Sequence, residues 1–135
     1  IELSCSRERF YVPENLYIIG TMNTFDEKLA MTDYALRRRF CFYTISPIFN
    51  NQKFKEFYSK NKLLSKVIEK IEEINNDLDE NMQIGHSYFC KPLPDAEIKM
   101  LVKYSVVPLI KEYYKAEPQK GKRYISELID ICNNY

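Results

Sequence analysis

Leu64, Val67, Ile68, Ile71, Ile74 and Leu78 recur at the spacing of one helix face, with Glu69, Lys70, Glu72 and Glu73 on the other. This pattern predicts an amphipathic helix over 63–78, because residues three and four apart share a face. Such a helix must bury its apolar stripe against other elements. Shorter helical patterns surround it. Residues 52–58 form one, and 96–104 and 109–114 two more, with Pro108 expected to kink or break the chain between them. Tyr124, Ile125, Leu128, Ile129 and Cys132 mark a last amphipathic helix. Asp95 is expected to cap the helix that follows it. Asn75, Asn76 and Asn81 are read as the fraying end of the long helix, 84–89 as a compact turn and 116–121 as a polar loop.

The first third of the chain has a different rhythm. Residues 16–22 (Leu-Tyr-Ile-Ile-Gly-Thr-Met) and 40–45 (Phe-Cys-Phe-Tyr-Thr-Ile) are short apolar runs rich in β-branched and aromatic residues. They read as strands buried on both faces, as in a parallel sheet. A short helix is expected over 30–36, and Ser46-Pro47 close the second strand. The fold class is therefore an α/β fragment, mostly helical: strands in 1–46, then a helical bundle over 47–135. The nearly immediate start of strand-like sequence, with nothing before it to pair with, suggests a piece of a longer protein.

Composition narrows the function. The chain has 135 residues, 45% hydrophobic and 29% charged, with a formal net charge of +1. A packed core is affordable, and no global charge points to nucleic acid. Cys5, Cys41, Cys90 and Cys132 are far apart, and His86 is the single histidine, so a zinc site is not expected. Reduced thiols in a cytoplasmic protein are the simplest reading. No apolar run has the length of a membrane span, and residues 1–5 do not form a signal peptide.

The chemistry-bearing stretch is 18–40. Asn23 stands at the C-terminal end of the first strand, the edge where ligands sit in open α/β sheets. Its carboxamide can orient a water or meet a phosphate, or simply satisfy backbone groups at a strand end. Arg37, Arg38 and Arg39 follow a short helix. Guanidinium groups there suit phosphate oxygens, although such a trio also serves as a solvated face. His86 sits among aromatic residues, as a hydrogen-bonded structural residue or a nucleotide contact. Tyr88 and Phe89 read as core.

Taken together, Gly20-Thr21-Met22-Asn23-Thr24, Asp33-Tyr34-Ala35-Leu36-Arg37-Arg38-Arg39-Phe40 and Ile84-Gly85-His86-Ser87-Tyr88-Phe89 resemble AAA+ ATPases, and specifically the McrB-type motor subunits of restriction systems. The likeness runs from Phe10 to about Tyr114. It implies the last strands of an AAA+ parallel sheet over 1–46 and a helical lid subdomain over 47–135. It assigns Asn23 to the sensor 1 position, which senses the γ-phosphate and helps place the attacking water. Arg38 and Arg39 match the arginine finger offered to a neighbouring subunit, a device worth about 10³–10⁵ in rate. Asp26, Asp33, Arg37 and His86 match supporting positions around the nucleotide. The likeness also implies GTP or ATP with Mg²⁺, a homo-oligomeric ring, an McrC-like nuclease subunit, and modified DNA recognised through other domains.

The chain departs from that pattern in three ways. Phe25-Asp26-Glu27-Lys28 stands where the family has Ala-Asp-Arg-Ser, so Glu27 reverses a charge, and Lys28, Arg7 or Arg9 would have to substitute. A sensor 2 arginine is absent, with Ser87-Tyr88-Phe89 in its place. Neither a Gly-x-x-x-x-Gly-Lys loop nor an apolar strand ending in Asp-Glu occurs in the sequence. The chain alone is therefore expected to be inactive and to hold no metal. Two other classes fit more loosely: a MoxR-like chaperone ATPase, favoured by ATP preference, and a non-catalytic protein or DNA interaction module, favoured by salt-sensitive binding.

Overall fold

The computed structural model describes residues 6, 7, 9, 11–21 and 38–135. The chain divides into two compact units, Ile1–Thr32 and Asp33–Tyr135. In the first, the Leu16 N–H donates to the Pro13 carbonyl at 3.2 Å, closing a turn, and residues 16–21 follow without regular structure. The ladder expected there is not formed among the described residues, nor is one formed over 40–45. An extended run becomes a strand only when a neighbour takes up its N–H and C=O groups. Without one, the apolar side chains stay in solvent: Ile19 is 93% and Tyr43 89% exposed. The short helix expected over 30–36 lies outside the described residues.

The second unit is helical. Its helices are α1 (Gln52–Tyr58), α2 (Lys62–Asp77), α3 (Asp95–Leu101), α4 (Val107–Tyr113) and α5 (Pro118–Asn133). Short 3-10 turns at Glu80–Met82 and His86–Phe89 lie between α2 and α3. Asparagines start the first two helices. The Asn51 side chain accepts from the Lys53 and Phe54 N–H groups, and that of Asn61 from Leu64 N–H. Both satisfy donors that a helix leaves open in its first turn. The stripe of α2 is buried as its period requires, against α5 on one side and α3 on the other.

Several local expectations change in the folded chain. Asp95 does not cap α3. Pro94 holds the cap position without a side-chain bond, while the Asp95 carboxylate accepts from Asn61 Nδ2 at 2.8 Å and so ties the start of α3 to that of α2. Residues 116–121 are not all loop, because α5 begins at Pro118, where a missing N–H costs nothing. Gly121 lies inside that helix, buried, since a Cβ there would come within 2.8 Å of Tyr114 Cβ. The glycine thus lets α5 approach the end of α4.

Pro108 neither breaks the helix nor simply kinks it. A π-helical turn, Val102–Val106, joins α3 to α4, and the Val107 N–H reaches back to the Val102 carbonyl. A proline ring collides with the carbonyl four residues earlier in a regular helix. Widening the turn just before it relieves that collision while the chain stays helical.

A polar seam closes the bundle. The Tyr114 hydroxyl and the Lys120 ammonium both donate to the Asp77 carboxylate at 2.6 Å. Lys120 first, then Tyr114, hold the Asp77 carboxyl below its ordinary pKa. Burial, then the bond to Asp77, push the Tyr114 phenol well above its own. Nearby, Lys70 bridges to Glu127 at 2.8 Å and so links α2 to α5.

Candidate functional site

The chemistry-bearing residues described in the structure gather at two places. Arg38 and Arg39 stand exposed in a turn that precedes residues 41–46, which carry no regular structure. Asn23, Asp26, Asp33 and Arg37 lie outside the described residues. His86 opens the second 3-10 turn, and its ring is hydrogen-bonded to the backbone: Nδ1 accepts from the Ile48 N–H at 3.2 Å. With Nδ1 accepting, the neutral ring carries its proton on Nε2.

Aromatic residues brace that ring. Phe49 meets it edge-on at 6.3 Å between centroids, and Phe54 at 6.0 Å. Both phenylalanines are buried, as is Phe89 at the end of the same turn. The connector 46–49, through which the chain enters α1, is thus fastened to a turn nearly forty residues later by one imidazole. Tyr88 packs partly against the core, and Phe89 is fully buried, as the sequence suggests.

The turn is held from behind by a residue that sequence analysis misplaced. Asn75 is no part of a fraying end. It is 6% exposed, and its carboxamide bonds to both backbone groups of Ile84. The available signal was its register, one turn beyond Ile71 on the apolar face of α2, where an amide stands in place of an aliphatic residue.

The described residues do not furnish a metal site. Among them, no group of three His, Cys, Asp or Glu side chains converges as ligands would. The sequence holds no Gly-x-x-x-x-Gly-Lys loop to cradle a triphosphate. Among the described residues, no helix is long and apolar enough to cross a membrane.

A helical bundle, entered through a connector that His86 latches, thus follows the arginine block along the chain. Residues 62–122 match the family model described as the McrB alpha-helical lid domain. Over 139 aligned residues, 90% of this chain, the sequence is 40% identical to the type IV methyl-directed restriction enzyme EcoKMcrB subunit of Escherichia coli (strain K12). The chain is of the McrB type. It spans about 30% of the length of that curated relative.

Proposed function

We propose that this chain is the lid-bearing part of a nucleotide-driven motor subunit in a restriction system that acts on modified DNA. The observation that carries the reading is 40% identity over 90% of the chain, a span that takes in residues of both the arginine block and the Gly-His-Ser-Tyr-Phe block. In this reading the missing phosphate loop and Mg²⁺ ligands belong to other parts of a longer parent chain. The parent prefers GTP to ATP, assembles as a ring in the cytoplasm, and works with an McrC-like nuclease subunit. Residues 1–46 complete the nucleotide-binding core, and 47–135 form the lid.

The roles follow from side-chain chemistry. Asn23 orients the attacking water near the γ-phosphate, with Asp26, Asp33 and Arg37 in support. Arg38 and Arg39 reach the triphosphate held by a neighbouring subunit, where a planar guanidinium stabilises charge developing on the phosphoryl oxygens. Closure of the lid excludes water and completes the constellation. His86, fastened through Nδ1, keeps an Nε2–H donor for the nucleotide side.

Hydrolysis of GTP and of ATP by the full-length parent, with and without the product of the adjacent gene, tests this. GTP preference stimulated by that partner is the expected result. ATP preference indifferent to the partner would replace it with a chaperone-type AAA+ function.

A further inference from the structure

The apolar face of α2 carries one amide, and that amide is wholly committed to a single residue. Asn75 Nδ2 donates to the Ile84 carbonyl at 3.0 Å, and Asn75 Oδ1 accepts from the Ile84 N–H at 2.7 Å. Gln83 Nε2 adds a bond to the Asn75 carbonyl at 3.3 Å. A carboxamide offers a donor and an acceptor side by side, as a neighbouring strand would. Ile84 needs both. Its side chain is fully buried, so its backbone polar groups are drawn away from water, where an unpaired one is costly.

Only Gly85 separates this clamp from His86, whose Nδ1 takes the Ile48 N–H. Gly85 is no flexible joint here, since its backbone is extended. The imidazole is therefore placed from one side by α2 through Asn75, and holds the connector on the other.

We propose that Asn75 is a positioning residue for nucleotide hydrolysis: it fixes the 84–86 turn so that His86 latches the connector and sets how the lid is carried. The proposal rests on the motor reading above, and the residue itself touches no substrate.

The test uses Asn75→Asp in the full-length parent. This change keeps side-chain size but removes the donor and turns an oxygen toward the Ile84 carbonyl. We expect kcat for nucleotide hydrolysis to fall about 10- to 100-fold through misplacement, with KM little changed. Amide exchange in the peptide containing Ile48 should rise in Asn75→Asp and His86→Ala alike. If Asn75 acts through His86, the double variant is no slower than the worse single one. A folded Asn75→Asp with wild-type kcat, unchanged exchange at Ile48, or losses that multiply in the double variant would each overturn the proposal. Should Asn75→Asp fail to fold, Asn75→Ser carries the test, with the same loss of kcat and the same rise in exchange at Ile48 required. A wild-type parent without turnover would overturn the motor reading alone, and exchange at Ile48 would then decide the latch.

Discussion

The runs at 16–21 and 40–45 are denser in apolar residues than the bundle over 52–133, yet it is the bundle that buries its own. Ile71 in α2 is fully buried, while Ile19 and Tyr43 face solvent. A helix satisfies its own backbone and needs only a surface for its stripe, which other helices of the same unit provide. A strand leaves half its backbone bonding to a neighbour, so hydrophobicity cannot organise it alone. The helical region therefore folds from local pattern, and the motif-bearing runs need a sheet to join.

That contrast is easiest to break in the bundle's centre. Ile71→Ala should cost about 2–5 kcal/mol, measured by urea unfolding, because the cavity has no route to collapse between packed helices. A change under half of that would mean the bundle is not the stable part. Gly121→Ala comes next. Helix propensity alone favours alanine by about 1 kcal/mol, but its Cβ would strike Tyr114. Overpacking of about 1–3 kcal/mol should win, leaving a net loss in thermal unfolding. A net gain would show that α4 and α5 separate freely.

The polar seam gives a smaller, pH-dependent effect. Asp77 has its pKa depressed in the folded state. Its contribution is therefore present above the unfolded carboxylate pKa and fades as pH falls through the lower folded value. Tyr114→Phe should unfold more easily than the wild type at neutral pH and converge with it in strong acid. A gap that persists there would locate the effect in packing rather than in the hydrogen bond. Smallest of all, Ile19→Ser should change the stability of this chain by no more than about 0.5 kcal/mol. The same change in the full-length parent should be costly, as expected of a residue in a completed sheet.

Much of the bundle was legible in advance. The helices over 52–58 and 63–78 fall within a residue of their observed bounds, because apolar periodicity is a local signal. Packing decided the rest. Gly121 looked like a loop residue by propensity, yet its small size is what the α4–α5 approach needs. Asn75 looked like a fraying end, yet its partner is set by a chain reversal that no local pattern encodes. Of the candidate site, the structure locates His86, Arg38 and Arg39. It gives His86 a backbone partner, while Asn23, Asp26, Asp33 and Arg37 lie outside the described residues.

The π turn has a consequence for registration. Ile98, Val102, Val106 and Ile110 are spaced four apart and all buried. In a regular helix each step of four overshoots a full turn by about 40°, so three steps would swing the last side chain about 120° out of line. The wide turn at Val102–Val106 takes up that overshoot. It works as a phase correction, keeping a straight seam over more than one helix length, with Pro108 marking where the count is reset.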